Sequence, residues 1–288
     1  MSRTATYHRA LFEPILYARD ATRGLSVLWA AARGDQAALR KAIRHGVTVN
    51  AKWPRKWRSP WKTTCHPKWR FDEKLKGYTA LHVAAVFGRT DAAAILLSAG
   101  ASTDELASVC WRCNLKETDA LHDVTPRTAT RTPLHFAVCY TNYDVAKELL
   151  RHGARIEVDG PHIRHWSALH DLSRIRLPSH ATIDFADWIM NKCHADLELV
   201  NSRNKTPLAT ACEAGQFRLA RKLLSKPSDF GYFPSQQRIL PYLRVFLARS
   251  GSVSTLGIKV VKTVTATGMA SARAMRCALH LSFRVSTG

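Results

Sequence analysis

Short apolar clusters run along this chain in pairs, each pair split by a glycine or polar step, and the pairs themselves recur. Val27-Leu28-Trp29-Ala30-Ala31 is followed by Gly34-Asp35 and then Ala42-Ile43-Arg44-His45-Gly46. Thr79-Ala80-Leu81-His82-Val83-Ala84-Ala85 is followed by Gly88 and Ala94-Ile95-Leu96-Leu97. Thr132-Pro133-Leu134-His135-Phe136-Ala137, Ser167-Ala168-Leu169-His170-Asp171-Leu172 and Thr206-Pro207-Leu208-Ala209-Thr210-Ala211 open three more such pairs. A cluster this short cannot close a core alone, but stacked on its neighbours it buries a continuous one. The pattern predicts five helix–turn–helix units, near residues 25–50, 77–104, 130–157, 165–198 and 204–225.

Each recurring position has a physical task. A Thr or Ser hydroxyl suits the free N–H groups at a helix start, and Pro at the next position is already set to a helical φ. Leu81, Leu134, Leu169 and Leu208 point inward, while Ala84, Ala137 and Ala211 one turn on let a neighbouring helix approach. Gly88 and Gly215 suit the turn between helices because glycine accepts positive φ. Thr141 stands where the third unit would carry that glycine, and the fourth unit reads Arg174-Ile175-Arg176-Leu177-Pro178 at the same place, which predicts a bent or lengthened helix pair.

These segments resemble the T-P-L-H-x-A signature of ankyrin repeats over roughly residues 25–225. The resemblance implies an all-α solenoid with hairpin fingers between units, non-enzymatic, used to hold a partner protein. It also implies that His82, His135 and His170 bond backbone groups across the turn between units rather than serve as acids or bases, since they recur at one structural position. Spacing supplies the departures. Thr79 to Thr132 is 53 residues, some 20 beyond the usual repeat of about 33, so a long loop extends the finger after the second unit. Val27 to Leu81 implies a similar insertion after the first.

Charge changes the picture of the partner. Forty-three Lys and Arg against 22 Asp and Glu give a net charge of +21, so anionic groups are drawn in at long range. The first insertion interleaves cations and indoles: Lys52, Trp53, Lys56, Trp57, Arg58, Trp61 and Lys62, then Trp69 and Arg70. Three readings fit: a loop packed on itself by cation–π contact, a protein-contact finger, or a nucleic-acid grip in which indoles stack on bases. The concave wall adds Val86, Phe87, Cys139, Tyr140 and Glu213, all just before the inter-helix turn. The expected partner is a protein, with nucleic acid as the alternative and the chain itself monomeric.

The ends are read separately. Residues 1–24 form an N-terminal cap in which Leu11, Ile15 and Leu16 shield the first unit; the same segment is similar to the tail of the F-box that precedes ankyrin repeats in some fungal proteins, which would make the chain a substrate receptor of a ubiquitin ligase. Residues 226–288 carry no repeat, and from Phe230 onward no Asp or Glu. That stretch reads as a basic tail, a disordered segment, or a non-native reading frame. Cys110 and Cys113 have the spacing of half a zinc site, with His122 beyond and Cys65-His66 in the other insertion, but no second pair completes it. No phosphate loop, nucleophile elbow or carboxylate pair suggests catalysis, and no cofactor is expected. No apolar run is long enough to span a membrane, no secretory leader is recognisable, and the odd count of seven Cys fits reduced thiols, so the expected location is cytoplasmic or nuclear.

Overall fold

The computed structural model describes residues 15, 17–52, 77–108, 130–160, 163–175, 179–201 and 204–225. It is mostly helical and divides into two compact units, residues 1–164 and 165–288.

The first unit holds three helix pairs: α1 (Leu25–Arg33) with α2 (Gln36–Arg44), α3 (Ala80–Phe87) with α4 (Thr90–Ser98), and α5 (Pro133–Cys139) with α6 (Tyr143–Arg151). The first helices pack in series, α1 on α3 and α3 on α5; the second helices do likewise, α2 on α4 and α4 on α6. Their shared core is built from large and small side chains in alternation. Leu28, Leu39, Leu81, Leu96, Leu134, Phe136 and Leu149 are fully buried, as are Ala30, Ala31, Ala84, Ala93 and Ala137, whose lack of bulk sets the close approach.

Helix starts differ in how their first N–H groups are met. Both Asp20 oxygens cap α1, taking the Leu25 N–H at 2.9 Å and the Ser26 N–H at 2.7 Å. Asp35 takes the Ala38 N–H of α2 at 2.9 Å. The chain enters α1 through Gly24, at φ 63°, where a side chain would also collide with the Ala51 Cβ. Tyr17 stacks on His45 with ring centroids 4.8 Å apart, and the Thr48 N–H bonds the Ala21 carbonyl at 2.8 Å. The N-terminal segment is thus tied to the first pair through Tyr17, Asp20 and Ala21. Ile15, expected to shield that pair, is instead 56% exposed; Leu11 and Leu16 lie outside the described residues.

Between pairs the chain makes finger roots. Strands β1 (Ala107–Ser108) and β2 (Thr130–Arg131) pair antiparallel, Ala107 opposite Arg131. The insertion read from the spacing falls between these two strands in sequence, at residues 109–129, outside the described residues. The Asn50 side chain bridges to the next root, donating to the Gly100 carbonyl at 3.3 Å and accepting the Ser102 N–H at 2.9 Å. Strand β3 (Glu157–Gly160) ends the series, and β4 (Ile163–Ser167) carries the chain across the boundary between the units.

The second unit holds α7 (Ala168–Ser173) with α8 (His180–Lys192), and α9 (Pro207–Glu213) with α10 (Phe217–Ser225). Here α7 packs on α9 and α8 on α10. The fourth pair is irregular as its sequence suggested: α7 has 6 residues, while α8 has 13 against the 9 of the other second helices. Ser179 restarts the chain after Pro178 by accepting the Thr182 N–H at 3.3 Å.

Candidate functional site: the turn ends of the first helices

The signature histidines are structural. His82 is fully buried; its Nδ1 accepts the Thr79 N–H at 3.2 Å and lies 2.9 Å from the Thr79 hydroxyl. With Nδ1 accepting, the proton sits on Nε2, which donates across to the Arg131 carbonyl of the next repeat at 3.2 Å. His170 repeats this with Ser167 and, through Nε2, the Lys205 carbonyl at 3.0 Å. His135 Nδ1 is 2.7 Å from the Thr132 hydroxyl. Burial pushes His82 down to about 3, the Lys52 charge acting the same way and the Arg131 and Glu105 carbonyls against it. A neutral, enclosed imidazole of this kind cannot exchange protons near neutral pH.

The expected hydroxyl cap is present in the second and fourth pairs, where the Thr79 and Ser167 hydroxyls face the backbone N–H of the third helical residue in a capping box closed by that residue's own side chain, the histidine. In the fifth pair, Ala209 replaces it, and the Thr206 hydroxyl accepts the Ala209 N–H at 3.2 Å. In the second and fourth pairs the imidazole shares the Thr79 or Ser167 hydroxyl with the helix.

At the other end of each first helix the chain turns, and side chains there are half-buried. Val86 and Phe87 close α3; Cys139 and Tyr140 close α5 at the same register. In α1 that register is held by Ala32, which is buried, and Arg33, which is exposed. The Arg33 guanidinium lies over the half-buried Trp29 ring, 4.8 Å from its centroid. The turn positions themselves follow: Gly34 at φ 72°, Gly88 at φ 65°, and Thr141, which adopts φ 63° despite its branched side chain.

A polar side chain from the following repeat completes the ends of α1 and α3. Arg89 Nε donates to the Ala32 carbonyl at 3.3 Å, and its stem lies against Gly34, where a Cβ would come within 2.9 Å of the Arg89 Cδ. Asn142 Nδ2 donates to the Ala85 carbonyl at 2.7 Å and the Val86 carbonyl at 3.0 Å. These bonds meet carbonyls that a helix end leaves open.

The residues singled out from the sequence therefore fall into three sets. Val86, Phe87, Cys139 and Tyr140 come together on the stacked ends of α3 and α5. Lys52 stands at the root of the first finger and pairs with Glu105 at 2.7 Å. Glu213 belongs to the second unit, where Lys205 holds it with both carboxylate oxygens, at 2.6 and 2.7 Å. Trp53, Lys56, Trp57, Arg58, Trp61, Lys62, Trp69 and Arg70 lie outside the described residues, as do Cys65, His66, Cys110, Cys113 and His122. Among the described residues no cluster of His, Cys, Asp and Glu could hold a metal ion, and no helix is long and apolar enough to cross a membrane. Two of the described thiols are held protonated: burial, aided by the Glu213 charge, pushes Cys212 up to about 12, and burial also raises Cys193. Sequence reading missed Trp29, Arg33 and Arg89; aligning Gly34 with Gly88 would have placed Arg33 in register with Phe87.

Stacked helix pairs, with a histidine bridging the second pair to the third and another the fourth to the fifth, define a helical repeat architecture. Residues 73–160 match the family model of the ankyrin repeats (3 copies). The helix pairs at residues 25–44, 168–192 and 207–225 lie outside that match. No curated protein matches the chain. Ankyrin repeats are in general modules of protein–protein interaction and are typically non-enzymatic.

Proposed function

We propose that this chain is a non-enzymatic docking scaffold that holds a protein segment along the turn ends of its first helices, with the first finger, from Lys52 to Arg70, as a second contact. The observation that carries the reading is the row of Val86, Phe87, Cys139 and Tyr140. Half-buried aliphatic and aromatic side chains sit at one register on two helices packed against each other, on rigid elements whose turns are fixed by Arg89 and Asn142. Aromatic anchors held in place lose little side-chain entropy on binding, which is why such residues dominate interface energetics. Docking is reversible, and the row fixes where the segment lies while the cations speed its arrival.

The test is a pull-down with the full chain, with and without nuclease, repeated with Phe87→Ser/Tyr140→Ser and with residues 51–76 replaced by a short neutral loop. Proteins retained after nuclease and lost from the double variant are the expected result. Recovery of nuclease-sensitive material alone, dependent on the finger, would replace this reading with nucleic-acid binding. Co-purification of a ubiquitin-ligase adaptor that is lost on deleting residues 1–22 would instead favour the receptor reading of the N-terminal segment.

A further inference from the structure

Charge is unevenly distributed along the stacked pairs of the first unit. Residues 17–52 carry seven Lys and Arg against two carboxylates, Asp20 and Asp35; residues 77–108 carry one cation, Arg89, against three carboxylates; residues 130–160 carry four of each. In the first pair both carboxylates are aimed at helix N–H groups, Asp20 at α1 and Asp35 at α2. The one cation of the second pair leans back onto the first, its stem against Gly34 and its Nε on the Ala32 carbonyl.

The consequence falls on the docking row. Along one register the side chains run Tyr140, Phe87, Arg33: two aromatic rings, then a guanidinium, and Arg89 reaches the same helix end, its stem against Gly34 and its Nε on the Ala32 carbonyl. Arg33 and Arg89 are both exposed, and neither has an ion-pair partner among the described residues. Nearby Asp91 accepts from the Gln36 side chain at 2.7 Å, and Asp35 from the Ala38 N–H, so these carboxylates are directed at α2 and not at the two guanidinia. Two exposed guanidinia without an ion-pair partner among the described residues, both brought to the turn end of α1, suit a planar anion taken by paired N–H donors.

Resting on the docking reading above, we propose that the partner segment is an extended peptide of two halves, apolar or aromatic side chains lying on Val86, Phe87, Cys139 and Tyr140, and Asp or Glu carboxylates lying on Arg33 and Arg89. A carboxylate is favoured over a nucleic-acid strand because one face of the Trp29 ring is already covered by the Arg33 guanidinium and is closed to a base. A guanidinium stacked in this way keeps its in-plane N–H groups directed outward, which orients it for a carboxylate.

The experiment selects random 12-residue peptides displayed on phage with the full chain, then measures synthetic copies of the selected peptides by fluorescence anisotropy. Peptides pairing apolar residues with an acidic half are expected. Arg33→Glu should weaken them about tenfold and, in a fresh selection, shift the preference toward Lys and Arg; Arg33→Lys should retain the acidic preference. Phe87→Ser should weaken binding of every selected peptide. Selected peptides that depend on Phe87 but carry no acidic half, or whose acidic half is indifferent to both Arg33→Glu and Arg89→Glu, would overturn the inference and leave the docking row standing. Peptides indifferent to Phe87 and Tyr140, or displaced by a single-stranded oligonucleotide at equal charge, would overturn the docking reading and the inference with it.

Discussion

The second and fifth repeats open their first helices with the same residue and use it in different ways. In the second, His82 takes up the Thr79 N–H and hydroxyl and passes its own proton to the next repeat; in the fifth, Ala209 leaves the Thr206 hydroxyl to cap its own helix. One arrangement serves the joint between repeats as well as the helix it begins, the other the helix alone. The largest test of this contrast is His82→Ala, which leaves a buried N–H and a buried carbonyl unpaired and opens a cavity. It should cost about 3 kcal/mol by urea unfolding. The same variant should alter pH dependence. His82 in the folded chain lies well below its ordinary value, at about 3, so the unfolded chain binds the proton first. Its contribution is therefore complete above pH about 6.5 and is lost as the pH falls toward about 3, at up to about 1.4 kcal/mol per pH unit. His82→Ala should be less sensitive to acid over that window than the parent; equal slopes would show that His82 is not the neutral link described. Thr206→Ala, by comparison, should cost only about 1 kcal/mol, the loss of a single cap.

A smaller test uses the helix turns. Gly88 and Thr141 hold nearly the same φ, 65° and 63°, yet only glycine does so without a side-chain penalty. The third repeat keeps this conformation because its surroundings impose it, with Asn142 fastened to the carbonyls of the second repeat. Replacing Thr141 by glycine should raise stability by about 0.5–1 kcal/mol, read as a shifted urea midpoint, and should leave the second repeat's turn unchanged.

Much of the fold was legible in the sequence because ankyrin chemistry is local: Thr79 to Gly88 contains its own start, core face and stop. The fourth pair was legible as an irregularity through Pro178 and the missing glycine. The site was legible only where it used those same positions, at Val86, Phe87, Cys139 and Tyr140. Arg89 and Asn142 were not, because nothing within their own repeat shows that they reach back to the one before; the acceptor is fixed by stacking.

That backward reach gives the array a direction. The carbonyls at the end of α1 wait for Arg89, and those at the end of α3 for Asn142, so both of these helices are finished by a residue synthesised later. Growth from the ribosome would leave the newest repeat with an open helix end until its successor emerges. A cut made after a repeat strips the survivor of a bond to its carbonyls, whereas a cut made before it merely returns a guanidinium or an amide to water.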